Sequence, residues 1–128
     1  EEVAFVSAQE SLEEGVSFIR DNSDIKILFV TLGNKGSIAY YKDEKMYCRG
    51  IHQEHVVDTT GAGDTFCGAV LSRILELGTD ALTEKDIREM LLFANAAASI
   101  VVTRKGALCS MPEPEEIRAA SSLIDKVL

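Results

Sequence analysis

The sequence has no tryptophan, only two prolines and only three cysteines in 128 residues. Cys48, Cys67 and Cys109 are odd in number and far apart, with no C-x-x-C pair. That spacing excludes a disulfide framework and reads as reduced thiols of a cytoplasmic protein, serving as small buried hydrophobes. No apolar run approaches the about 18 residues that a membrane-spanning helix needs, and no charged-then-apolar leader is visible. Cations are scarce: 13 Lys and Arg stand against 21 Asp and Glu, for a net charge of -8. Without a basic stripe the chain lacks the electrostatic footprint of a nucleic-acid binder. Internal repeats, low-complexity tracts and linkers are also missing from the pattern.

What remains is one domain's worth of polypeptide, 46% hydrophobic and 27% charged, an ordinary globular balance. It opens Glu-Glu-Val-Ala-Phe without an initiator Met and reads as though it begins in mid-fold. Val3 to Val6 is expected as a short strand. Ser11-Leu-Glu-Glu14 fits a capping box for a helix with Leu12, Val16 and Ile19 on one face, ending near Asp21-Asn22. Ile25 to Leu32 is a continuous apolar run, as in a strand of a parallel sheet covered on both faces. Gly33-Asn-Lys-Gly36 is a glycine-bounded turn, and Ser37 to Tyr41 and Lys45 to Arg49 form a hairpin with a solvated polar tip.

Val56 and Val57 are expected to end another strand. A helix follows from Gly61 to about Leu77, with Phe66, Val70, Ile74 and Leu77 on one face and Gly78 as its stop. Thr83-Glu-Lys-Asp86 starts the next helix, which carries Ile87, Met90, Leu91 and a run of alanines until Gly106 ends it. Pro114 suits the first turn of a last helix with Ile117 and Ile124 inward. Strands alternating with helices give an α/β class with a mostly parallel sheet flanked by helices.

The stretch Asp58-Thr-Thr-Gly-Ala-Gly-Asp-Thr-Phe66 carries the chemistry. A helix starting there exposes backbone N–H groups that no carbonyl within the helix can satisfy. With the helix dipole they form an anion site, and Gly61 and Gly63 leave a phosphate free to approach the backbone. Asp64 sits in the first turn, where the dipole favours its ionised form. A carboxylate beside a bound phosphate is repulsive, so it suits proton acceptance from an attacking hydroxyl better than binding. The bland alternative is a tight strand-to-helix turn with a favourable first-turn charge. No G-x-x-x-x-G-K-[ST] loop occurs, and Phe66 occupies the third glycine position of a dinucleotide fingerprint.

These residues resemble the second signature of the ribokinase family of sugar kinases, the phosphofructokinase B group. Thr31-Leu-Gly-Asn-Lys-Gly36 resembles that family's nucleotide loop. Phe93-Ala-Asn-Ala-Ala-Ala98 with Val102-Thr-Arg-Lys-Gly-Ala107 resembles its late helix and following turn. The resemblance covers nearly the whole chain and is closest in wording to fructokinases and ribokinases. It implies a ribokinase-like fold, of which residues 1–128 form the nucleotide-binding C-terminal portion. The family's upstream sugar-binding signature and β lid have no counterpart here.

The resemblance further implies ATP-dependent phosphoryl transfer to a hydroxyl of a small sugar, fructose being favoured. Ribose, 2-keto-3-deoxygluconate and nucleosides are the alternatives within the family, and a non-catalytic nucleotide-binding fragment is the alternative outside it. Asp64 matches the catalytic base, and the amides of Gly61, Ala62 and Gly63 match the anion hole. Thr31, Gly33, Gly36 and Gly63 match positions at the phosphates and ribose, with Asn95 on the adenine side. Asp58 and Thr60, the carbonyls of Arg104 and Gly106, and Ser110 match a monovalent-cation site suited to K⁺, while Mg²⁺ would arrive with the nucleotide. Each has a plainer reading: T-L-G-N-K-G as a turn, Asn95 as a polar residue at a packing seam, Asp58 as a cap of its own turn. His52-x-x-His55 is no metal pair on this reading, because residues three apart on an extended chain point to opposite faces. An unpaired sheet edge would favour self-association, so a homodimer is expected.

Overall fold

Three segments rich in branched and aromatic residues pair into one antiparallel sheet: β1 (Ile27–Thr31), β2 (Gly36–Tyr41) and β3 (Glu44–Arg49), in the order β1-β2-β3. The structure, a computed structural model, describes residues 1–106 and 108–125. Leu28 lies opposite Tyr40 and Val30 opposite Ile38, while Ala39 faces Met46 on the other side. The register decides the layers. Val30, Ile38 and Tyr40 pack with Val16 on one face, and Ala39, Tyr41 and Met46 pack with the helices on the other. The apolar run at β1 is thus covered on both faces, as expected. The parallel pairing is not: every ladder among the described residues is antiparallel, because a two-residue turn at Lys42-Asp43 can only return the chain antiparallel.

On one face lies α2 (Leu12–Asp21), capped by Ser11, whose hydroxyl oxygen accepts the Glu14 N–H at 3.2 Å while its O–H donates to the Glu14 carboxylate at 2.9 Å. The expected strand at Val3 to Val6 is instead part of a short helix, α1 (Glu2–Ser7). Val3 and Ser7, one turn apart, straddle Gly15 of α2 so closely that a Cβ there would lie 2.7 Å from Val3 Cγ1. Phe5, meanwhile, is 91% exposed. A four-residue apolar run fits either period, and packing against α2 selects the helical one.

On the other face α3 (Ala62–Leu77) and α4 (Glu84–Val101) pack together, with α5 (Pro114–Asp125) beyond them. Gly78 ends α3 at a positive φ of 74°, its N–H bonded to the Ile74 carbonyl at 2.7 Å. Phe66 and Val70 are buried as expected, but Leu77 is 44% exposed. Thr83 and Asp86 complete the capping box of α4 reciprocally. That helix stops at Val101, short of Gly106. Its alanines, Ala94, Ala96 and Ala97, are fully buried and let α3 and the sheet approach closely. Ile117 anchors α5 in the same core; the side chain of Ile124 and the whole of Ala107 lie outside the described set.

Two further expectations change. Val56 and Val57 form no strand: the Val57 and Asp58 amides both bond to the single carbonyl of Val102, at 2.8 and 3.2 Å, leaving the valines 56% and 58% exposed. The three cysteines are all free thiols, but only Cys48 is partly buried, whereas Cys67 and Cys109 are exposed. No helix among the described residues is long and apolar enough to cross a membrane.

Candidate functional site

The entry to α3 is built by local hydrogen bonding. The Thr60 N–H donates to Asp58 Oδ1 at 2.9 Å, closing a turn that aims the chain at the helix. That amide, with smaller help from the Thr60 side chain and the Gly106 backbone, holds the Asp58 carboxyl below the usual carboxylate range. Gly61 then takes a left-handed conformation at φ 83°, which a residue with a Cβ adopts only at a cost. The Thr65 N–H closes the first helical bond onto the Gly61 carbonyl at 2.9 Å.

Beside this helix start opens a cleft of about 350 Å³. Its walls come from the 3-10 turn Gly33–Lys35, the loop after β3, the first turn of α3 and the C-terminal half of α4. Thr31, Gly33, Gly36, Gly63 and Asn95, taken from three separate stretches of the sequence, all line it, as does Ala62. Gly63 turns a bare face outward: a Cβ there would have no protein atom within 4 Å. Gly36 is glycine for another reason. A Cβ on it would lie 2.1 Å from the Cys48 carbonyl oxygen, and one on Gly50 would lie 2.3 Å from that of Asn34. Those two glycines let the turn and the end of β3 interlock, and so shape one wall.

Asn95 lines the cleft, yet its polar atoms are turned into the protein. Its Oδ1 accepts from the Ser37 hydroxyl at 2.9 Å, and its Nδ2 donates to the Cys48 and Arg49 carbonyls at 3.2 and 3.4 Å. It therefore ties α4 to β2 and β3, which is the packing-seam reading. Ala62 also differs from expectation: its N–H points to the Thr59 carbonyl at 3.2 Å, within the turn. Asp64 is exposed on the same first turn, and neither it nor Gly61 lines the cleft itself.

The five residues expected to hold a cation are joined to one another by hydrogen bonds, and none of them lines the cleft. Asp58 contacts Thr60 and the Gly106 backbone, the Ser110 hydroxyl donates to the Gly106 carbonyl, and the Arg104 guanidinium reaches the Ser110 carbonyl at 3.4 Å and Glu116 at 2.5 Å. Among the described residues no cluster of three His, Cys, Asp or Glu exists that could hold a metal, so any cation here would depend on hydroxyl and carbonyl oxygens beside one carboxylate, a set suited to hard cations. Sequence reasoning missed His52, Phe66 and Val102 as cleft residues. Gly50, directly after a strand, was the available signal, because an isolated glycine there marks close backbone approach.

The pattern described as pfkB family carbohydrate kinase matches residues 1–114. The chain belongs to that family. Probable fructokinase-4 of Arabidopsis thaliana is 35% identical over 119 residues, which are 93% of this chain and 36% of that protein. Fructokinase from Vibrio cholerae O395, solved in fructose-, ADP- and calcium-bound form, aligns with a TM-score of 0.80 at 31% identity, over 91% of this chain and 37% of its own. Arabidopsis thaliana ribokinase complexed with ribose and ATP aligns with a TM-score of 0.77 at 32% identity, over 94% and 38%. The fold is therefore ribokinase-like, and the chain spans little more than a third of the proteins it matches.

Proposed function

We propose that these residues supply the nucleotide side and the proton acceptor of an ATP-dependent sugar kinase, with fructose the favoured acceptor. The observation that carries this reading is the convergence of Thr31, Gly33, Gly36, Gly63 and Asn95 on one cleft at the amide end of α3. Its volume and its mixture of apolar walls with bare backbone suit a nucleoside and its phosphates. Relatives solved with ADP or ATP and a sugar support the same assignment.

In this reading Gly61 and Gly63 direct their N–H groups, and the α3 dipole, at the phosphoryl group. Each such donor is worth about 10²-fold or more when aimed at developing charge. Asp64 accepts the proton of the attacking sugar hydroxyl, a contribution of about 10²- to 10⁴-fold. Mg²⁺ brought by the nucleotide would neutralise phosphate charge. The oxygens of Asp58, Thr60, Gly106 and Ser110, with the Arg104 carbonyl, are assigned to a monovalent cation such as K⁺, which would steady the turn before the helix. The residues that clasp the sugar are assigned to a portion of the kinase domain outside these 128. The edge of β1, which pairs with no further strand among the described residues, supports self-association as a homodimer, and the free thiols suit a cytoplasmic setting.

The deciding experiment is ATP-dependent phosphorylation of a sugar panel by this chain and by any longer form that contains it, each beside its Asp64→Asn variant. Turnover on one sugar that vanishes in the variant, with nucleotide binding retained, is the expected result. Undiminished turnover in the variant would reject Asp64 as base. Silence on every sugar despite ATP binding would favour the second reading, a nucleotide-binding chain without catalysis, which the chain's partial coverage of its relatives makes worth testing.

A further inference from the structure

Among the described residues that line the cleft there is no Lys, Arg, Asp or Glu, and the one such side chain able to carry a charge is His52. The nearest charged or titratable groups in the sequence of the surrounding elements lie outside the lining, among them Lys35 on the 3-10 turn, Cys48 and Arg49 on β3, Glu54, His55 and Asp58 on the loop, and Asp64 and Cys67 on α3. The face contributed by α4 is neutral, with Asn95, Ala98 and Ser99. A polyphosphate entering this cleft therefore meets dipoles and one imidazole. We propose that His52 is the cation of the cleft, taking up a proton when a nucleoside polyphosphate binds.

This inference rests on the nucleotide reading given above and extends it. An imidazole is the side chain whose charge ordinarily changes between about pH 5 and pH 8. A phosphate held in the cleft within a few ångströms of it would favour its protonated form, because a nearby opposite charge stabilises the ionised state. The complex then holds more protons than the free partners, so binding tightens as pH falls, by at most about tenfold per pH unit for one proton. His52 is exposed at the cleft, so replacing it leaves the core untouched.

The test is calorimetric titration of the 128-residue chain with ADP, in two buffers of different ionisation enthalpy, at about pH 6 and about pH 8. Wild type, His52→Gln and His55→Gln are compared. The terminal phosphate of ADP titrates in the same range, and that contribution is common to all three proteins. The expected result is proton uptake and several-fold tighter binding at the lower pH in wild type and His55→Gln, with the excess over ADP's own titration gone in His52→Gln. Binding in all three with the same proton count overturns the role of His52 and leaves the nucleotide reading standing. No binding by any of them at either pH overturns both.

Discussion

Ser37 on β2 donates its hydroxyl to the side-chain oxygen of Asn95 on α4 at 2.9 Å, and both residues are buried. The Asn95 amide nitrogen continues the link to the Cys48 and Arg49 carbonyls. One side chain thereby joins the helix to two strands where they wall the cleft.

Asn95→Leu should accordingly lower stability by about 1–3 kcal/mol, because Ser37 and two carbonyls lose their buried partner. Chemical denaturation would measure it. A denaturation midpoint equal to wild type would show that the link contributes nothing net.

Gly63→Val and Gly36→Ala should part company. The first faces open space, so thermal unfolding should stay close to wild type while nucleotide affinity falls. The second drives a methyl into the Cys48 carbonyl at a positive φ of 114°, so it should cost at least about 2 kcal/mol of stability. Unchanged ADP affinity in Gly63→Val would remove that amide from the anion site.

Thr65 Oγ1 is buried with no hydrogen-bond partner among the described residues. Thr65→Val keeps the shape and removes an unsatisfied polar atom. It should be neutral or stabilising by up to about 1–2 kcal/mol. A clear loss in melting temperature would reveal a partner for that hydroxyl.

The Thr83 hydroxyl and then its backbone amide hold the Asp86 carboxyl below the usual carboxylate range. A depressed folded-state value means that the ionised form stabilises the fold. That contribution is complete above the ordinary Asp range and is lost as pH falls through the depressed value. Melting curves of wild type and Asp86→Asn should therefore converge in acid and separate towards neutrality. Parallel curves at every pH would remove the capping box from the stability of α4.

The sequence disclosed what is local. Gly78 and the Thr83–Asp86 box mark helix ends through bonds made within a few residues, and even the shorter Asp reaches back to the Thr83 amide at 2.8 Å. The start of α3 at Gly61 was legible for the same reason: a helix start is written in adjacent residues. What escaped depends on distant partners. Val3 to Val6 became helical through Gly15, and Val56-Val57 surrendered their amides to Val102, contacts that no window of the sequence contains. The double role of Asn95, cleft wall and clamp, was visible only once β2 and β3 were in register beneath it.

The neutral lining of the cleft has one more consequence, for ionic strength. Most proteins that grip phosphates do so with fixed cations and lose affinity as salt screens them. This chain has a net charge of -8 and, among the described residues, places no Lys or Arg in its cleft. In the proposed nucleotide site the net negative field of the chain opposes an incoming polyphosphate, and the attraction rests on short-range dipoles that salt barely touches. Added salt should then leave nucleotide affinity unchanged or raise it, the reverse of the usual trend for a phosphate site.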